Sequence, residues 1–153
     1  MPSTHFEAVP ELTSDAAAPD RDLVVMKFGG TSVGSTDKIK DVARRLVAAR
    51  ERGVRVVGVL SAMGDTTDEL IRLAHEVSPN PPPREYDMLV SVGERISNSL
   101  CAMAIGDLGH EAVSLTGSQA GIVTDTSHAK AKIVEVRARR LHEELDKDRI
   151  VLV

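Results

Sequence analysis

Short apolar runs alternate with stretches of helical periodicity along most of this 153-residue chain. The apolar runs predict strands over residues 23–26, 54–60, 112–115, 121–124, 133–136 and 150–153. The periodic stretches predict helices over residues 36–52, 66–77, 85–108 and 137–147. Because strands and helices alternate and several runs are almost wholly apolar, we predict an α/β fold with a mainly parallel sheet.

Glycine, proline and capping patterns set the predicted boundaries. Gly53 follows the first helix, and a proline-rich segment at residues 79–83 separates the second helix from the third. Thr66 and Glu69 have the spacing of a capping box, which predicts that Thr66 caps the second helix.

The two ends of the chain differ in character. Residues 1–22 show no periodicity, and we expect a flexible tail ahead of one domain that covers residues 23–153. The chain stops inside the apolar run at residues 150–153. This suggests an incomplete domain, and we expect the terminal strand to lack a neighbour.

Composition argues against several classes of protein, although it leaves open a local basic site. The net charge of −4 gives no broad attraction to nucleic acid or to anionic membranes. No apolar run reaches the roughly 20 residues that span a bilayer, and the start of the chain lacks a signal-peptide pattern. Cys101 is the single cysteine, and its apolar neighbours predict a small buried residue and not a nucleophile. We expect a cytoplasmic protein.

Candidate chemistry first appears in the glycine-rich loop at residues 27–34, between the first strand and the first helix. Glycines let backbone N–H groups approach phosphate oxygens, and Lys27 supplies a cation. The loop lacks the lysine that follows the last glycine of a Walker A motif, and it lacks the Gly-x-Gly-x-x-Gly dinucleotide fingerprint. A tight turn that lets the helix pack on the sheet is the structural alternative to phosphate binding.

Four segments together resemble the aspartokinases. They are KFGGTSV at residues 27–33, SAMGDTTD at 61–68, GERIS at 93–97 and TGSQAGIVTD at 116–125, in the family's order and spacing. The resemblance implies the amino acid kinase fold, a mostly parallel sheet sandwiched by helices. It also implies ATP and Mg²⁺ as cofactors, and L-aspartate as the substrate. The product would be 4-phospho-L-aspartate, which enters lysine, threonine and methionine biosynthesis.

The resemblance assigns roles in the first motif. It implies that Lys27 is catalytic and bridges the transferring phosphoryl group and the aspartate carboxylate. Lys27, Phe28, Gly29 and Gly30 would contact the ATP phosphates. A fixed cation at this position lowers the repulsion between two anions. No general base is needed, because a carboxylate with a pKa of about 4 is already ionised at neutral pH.

The resemblance also assigns the aspartate-binding residues. Ser61 and Thr67 would touch aspartate, and Glu94 would hold its α-ammonium group. An exposed helical glutamate paired with Arg95 or a nearby base is the structural alternative for Glu94. The loop at residues 117–125 either shapes the aspartate pocket or only turns the chain. The five histidines have no metal-ligand spacing, so we expect no protein-bound metal and place them on the surface.

The resemblance also implies that parts of the enzyme are absent. A later glycine-rich motif, most of the adenine-binding region and the regulatory ACT domains would follow residue 153. We therefore expect the chain alone to have little or no kinase activity. Its partners would be aspartate and ATP, within a homo-oligomer of the full-length protein or with a partner chain that supplies the missing half.

Two alternatives stay open. The fold could serve another substrate, as in acetylglutamate or uridylate kinases, although an acylated amine or a nucleotide would give Glu94 no cation to bind. The chain could also be no enzyme, either as a partial gene product or as a binding module that pairs with a separate chain.

Overall fold

The computed structural model describes residues 21–153, so the predicted tail lies almost entirely outside the described residues. The helices are α1 (Thr36–Glu51), α2 (Thr66–Val77), α3 (Pro83–Val90), α4 (Val92–Asp107) and α5 (Arg139–Asp146). The strands are β1 (Leu23–Phe28), β2 (Arg55–Leu60), β3 (Ala112–Ser114), β4 (Ile122–Thr124), β5 (Ile133–Val136) and β6 (Ile150–Leu152). One turn of 3₁₀ helix, Gly30–Ser32, follows β1.

Four of the strands form a parallel sheet in the order β1-β2-β6-β3. Their carboxyl ends therefore meet at one edge, which we call the carboxyl edge. Strand β6 pairs with both β2 and β3, so the prediction that the terminal strand lacks a neighbour was wrong. The order of strands along the chain did not indicate this pairing, because β6 lies between β2 and β3, which both precede it in the sequence. Strands β4 and β5 form a separate antiparallel ribbon.

Helices cover the sheet on both faces, which confirms the predicted α/β sandwich. Helices α1 and α4 pack on one face, where Leu46 and Ile105 are fully buried. Helix α5 packs on the other face, where Leu145 joins Val57 and Val151 in a second apolar cluster. No helix in the described part of the chain has the length and apolar content needed to cross a membrane.

The helix predicted over residues 85–108 is two helices. Ser91 lies between α3 and α4, and its hydroxyl donates a hydrogen bond to the Met88 carbonyl at 2.9 Å. A side-chain bond of this kind competes with the backbone ladder at a helix end. The apolar periodicity runs through the break, which is why the sequence pattern did not reveal it.

The predicted cap of α2 was also wrong. Asp65 occupies the N-cap position without a side-chain cap bond, and Thr66 is the first helical residue. The Thr66 N–H donates to the Met63 carbonyl at 2.9 Å, so the preceding turn satisfies this donor. The Thr66 side chain is therefore not needed as a cap.

Cys101 behaves as its neighbours predicted. Its side chain is fully buried in the cluster between α4 and the sheet. Burial raises the pKa of the Cys101 thiol to about 12, because the charged thiolate is poorly solvated there. The thiol stays protonated at neutral pH, which confirms a packing role.

Gly58 in β2 provides a direct test of the packing. A Cβ added there would lie 2.9 Å from a methyl group of Leu152 and 3.3 Å from Leu46. We expect Gly58→Ala to lower the free energy of unfolding by about 1–3 kcal/mol through overpacking. Urea denaturation followed by circular dichroism measures this. The matched control is Gly106→Ala in α4, where an added Cβ meets nothing within 4 Å. Gly106→Ala should raise the free energy of unfolding by about 0.5–1 kcal/mol. Equal effects of the two substitutions would contradict the close packing at Gly58.

Candidate functional site

The loops that follow β1 and β2 touch at the carboxyl edge. The Ser61 N–H donates to the Phe28 carbonyl at 3.0 Å. A Cβ on Gly30 would lie 3.3 Å from the Ala62 carbonyl oxygen and 3.8 Å from the Ser61 hydroxyl oxygen. The absence of a side chain at Gly30 thus lets the glycine loop lie directly against Ser61.

Lys27 presents a free ammonium beside this loop. Its Nζ lies 3.8 Å from the position that a Cβ of Gly29 would occupy. The side chain is exposed, and within residues 21–153 no carboxylate lies within 4.0 Å of the amine. A cation at the end of a parallel strand without a protein counter-ion is available to an anionic ligand.

The rest of the first motif can offer its backbone to a ligand. Phe28 is 3% exposed, and the Arg45 guanidinium carbon lies 5.1 Å from its ring centroid, so the Phe28 side chain belongs to the core. The 3₁₀ turn starts immediately after Gly29, and the first N–H groups of a helical turn have no partner within it. Gly29 and Gly30 therefore open a short turn toward the same edge as Lys27.

The start of α4 packs against the β2–α2 loop. A Cβ on Gly93 would lie 2.8 Å from the Ala62 Cβ and 3.7 Å from the Thr67 hydroxyl oxygen. The helix could not approach so closely with any larger residue at position 93. Thr67 and the residue after Gly93, Glu94, are thereby brought to the same edge as Ser61.

Glu94 has a free carboxylate. The residue is exposed, and no basic side chain lies within 4.0 Å of it in the described range. Arg95 reaches the Ser91 hydroxyl at 3.4 Å and not Glu94, so the alternative of an Arg95 ion pair finds no support. The Glu94 backbone is held, because the Ser97 hydroxyl lies 3.0 Å from the Glu94 carbonyl and 2.7 Å from the Ser61 carbonyl.

The loop after β3 clearly turns the chain. Thr116 and Gln119 exchange two hydrogen bonds between backbone N–H and side-chain oxygen, at 3.0 and 3.2 Å. Gly121 has a φ of +84°, and a Cβ there would lie 1.8 Å from the Arg137 carbonyl oxygen, so glycine is needed to close the β4–β5 ribbon. A cavity of about 160 Å³ separates this loop from Arg95 and Asn98 of α4.

Metal ligands are not clustered in the described residues. No group of three His, Cys, Asp or Glu side chains there could hold a metal ion. His75, His128 and His142 are exposed as expected, whereas His110 is half-buried, and His5 lies outside the described residues.

Comparison with known proteins identifies the family. Residues 22–153 match the family model described as the amino acid kinase family. The chain belongs to the amino acid kinase family. It is 56% identical over 131 residues to an aspartokinase from Mycolicibacterium smegmatis, an alignment that covers 86% of this chain and 31% of the relative. The chain thus spans less than a third of that relative's length.

Solved structures agree with this assignment. The aspartate kinase from Synechocystis superposes with a TM-score of 0.73 at 44% identity, over 86% of this chain and 21% of that one. Aspartokinase III from E. coli, solved in complex with aspartate and ADP, gives a TM-score of 0.72 at 20% identity, over 86% and 40% of the two chains. The second comparison supports the amino acid kinase fold alone.

Two contacts of the candidate site in this amino acid kinase domain had not been anticipated from the sequence. They are the approach of Gly93 to Ala62 and the bond from Ser97 to Ser61. One sequence signal could have revealed them. Small residues recur every four positions at Gly93, Ser97 and Cys101, and this spacing places them on one buried face of α4. Small residues on one helix face allow a close approach to a neighbouring backbone.

Proposed function

We propose that this chain forms part of an aspartokinase, which transfers the γ-phosphoryl group of ATP to the side-chain carboxylate of L-aspartate. The supporting observation is the arrangement of the carboxyl edge. The Lys27 ammonium lies beside Gly29, Gly30 lies against Ser61, and the Ser97 hydroxyl contacts the backbone carbonyls of both Ser61 and Glu94. Such an edge offers a cation to phosphate and an anion to an amino group. The identity to named aspartokinases supports aspartate as the substrate.

In this proposal Lys27 is the catalytic cation. A carboxylate oxygen of aspartate forms a bond to the γ-phosphorus as the bond from that phosphorus to the ADP oxygen breaks. Negative charge shifts during this step, and a fixed ammonium between the two anions stabilises it. The backbones of Phe28, Gly29 and Gly30 contact the phosphates.

Ser61, Thr67 and Glu94 bind aspartate. The two hydroxyl groups are suited to a carboxylate, and Glu94 forms a charge-assisted hydrogen bond with the α-ammonium group. An N-acylated amino acid or a nucleotide has no such cation, so the free Glu94 carboxylate favours aspartate over the substrates of acetylglutamate or uridylate kinases.

Mg²⁺ would enter as the counter-ion of ATP. It is commonly held by substrate phosphates, waters and only one or two carboxylates. When bound, the ion would neutralise phosphate charge. The remaining substrate contacts would come from a continuation of the chain, in a homo-oligomer, or from a partner chain.

A chimera tests the proposal. Residues 23–153 replace the matching residues of the Mycolicibacterium smegmatis aspartokinase, and ADP release is followed with ATP, Mg²⁺ and aspartate. We expect a kcat within about tenfold of the parent enzyme, equivalent to about 1.4 kcal/mol in the barrier. The isolated chain should give no aspartate-dependent turnover.

Two outcomes would argue against the proposal. A chimera that is folded and has the parent's oligomeric size but lacks aspartate-dependent ADP release would refute aspartokinase function. Substantial turnover by the isolated chain would refute the need for further residues.

A further inference from the structure

Ser97 links the two halves of the candidate aspartate site. It lies one turn after Gly93 on α4 and is fully buried. Its hydroxyl oxygen lies 2.7 Å from the Ser61 carbonyl oxygen and 3.0 Å from the Glu94 carbonyl oxygen. One side chain therefore contacts the backbones of two residues, Ser61 and Glu94, that are both proposed to bind aspartate.

The bond to Ser61 is the more consequential of the two. A serine hydroxyl has one proton to donate, and 2.7 Å is the usual length of an O–H···O bond. The Glu94 carbonyl lies inside a regular helix, where a backbone N–H four residues on also serves it. Within residues 21–153 no other hydrogen bond reaches the Ser61 carbonyl. Loss of the Ser97 hydroxyl would leave that carbonyl without a partner.

We propose that Ser97 is a positioning residue that fixes Glu94 relative to Ser61 and Thr67. This inference rests on the proposed function for its link to aspartate. Gly93 allows α4 to approach the β2–α2 loop, and the hydrogen bond from the Ser97 hydroxyl to the Ser61 carbonyl holds the helix against that loop. Aspartate then meets a preformed set of contacts and does not have to order the two segments on binding.

Kinetics of the chimera test the effect on aspartate. We expect Ser97→Ala to raise KM for aspartate about tenfold, within the cost of leaving a buried acceptor unpaired. The KM for ATP should change by less than about twofold, because among the described residues the Ser97 hydroxyl bonds only the Ser61 and Glu94 carbonyls and makes no hydrogen bond to Lys27, Gly29 or Gly30. Ser97→Cys retains the volume but donates weakly, and should also raise the aspartate KM. A parallel rise of both KM values, or an unchanged aspartate KM, would overturn the proposal.

Ser91→Ala is the matched control. Ser91 immediately precedes α4. Its hydroxyl donates to the local Met88 carbonyl and accepts from Arg95, and it makes no hydrogen bond to the β2–α2 loop. It should leave both KM values within about twofold of the unaltered chimera. Thermal unfolding of each variant identifies any change that comes from loss of the fold.

Hydrogen exchange on this chain separates the inference from the proposed function. Ser97→Ala should accelerate amide exchange at residues 61–67 and 93–97 together, by a similar factor, whereas Ser91→Ala should not affect residues 61–67. Unchanged exchange at residues 61–67 would overturn the positioning role even if the chimera is active. If the chimera is inactive but Ser97→Ala accelerates exchange in both segments, the proposed function is refuted and the positioning role of Ser97 is still supported.

Discussion

Lys27→Met in the chimera is expected to lower kcat for aspartate phosphorylation by about 10²–10³, the usual effect of removing one group that stabilises transition-state charge. Methionine keeps much of the side-chain length but removes the ammonium. The KM values should change much less, because the cation acts mainly as charge is redistributed. Initial rates of ADP release at saturating ATP and aspartate give kcat directly.

Lys40→Met controls for general loss of positive charge. Lys40 is exposed on α1, and its loss changes the net charge of the chimera by the same amount. Solvent-screened charges away from the reacting atoms have small effects, so kcat should stay within about twofold. Because Lys27 is exposed and unpaired, its removal should leave the melting temperature unchanged. A folded Lys27→Met chimera with kcat within about tenfold of the unaltered one would show that Lys27 is not the catalytic cation.

Local signals predicted the first half of the fold well. The predicted helix at residues 36–52 and strand at 54–60 became Thr36–Glu51 and Arg55–Leu60. Gly53 lies between them with a φ of +89°, a conformation that glycine adopts at little cost. In this part of the chain the helical periodicity, the glycine after it and the continuous apolar run each predict a single element, so the sequence alone was sufficient to place α1 and β2.

Features that depend on distant contacts were not predictable in this way. Helix α4 docks so that Gly93 meets Ala62, a residue 31 positions earlier in the chain. The position of β6 between β2 and β3 depends on strand pairing, which apolar content does not encode. The single helix predicted over residues 85–108 and the unpaired terminal strand were both wrong because each prediction used only the periodicity of its own segment.

In the candidate site, too, features set by local sequence were predictable and features set by distant contacts were not. Because parallel strands end at one edge, the sequence placed Lys27 and Ser61 at neighbouring strand ends. The exposed state of Glu94 and the bonds made by Ser97 depend on how α4 docks, and the docking follows from packing between segments. Sequence motifs thus selected the candidate residues, and the structure shows how their backbones are held.

Glu94→Gln in the chimera is expected to raise KM for aspartate by about 10–100-fold, since a hydrogen bond to a charged group contributes about 1.5–3 kcal/mol. Glutamine keeps the size of the side chain and loses its charge. The KM for ATP should change little, because the α-ammonium group of aspartate is remote from the transferred phosphate. Steady-state kinetics with each substrate varied in turn measure both constants.

The same substitution should weaken discrimination against N-acetylaspartate, which lacks the ammonium group that Glu94 is proposed to bind. Asp107→Asn is the matched control: it converts a carboxylate to an amide at the last residue of α4, about 20 Å away by helix rise. It should leave the preference for aspartate intact. If Glu94→Gln changes neither the aspartate KM nor this preference, the ammonium is bound elsewhere, and the exposed Glu94 carboxylate belongs only to the surface of the helix. A selective loss at Glu94 would distinguish an aspartate site from one that takes an acylated amino acid.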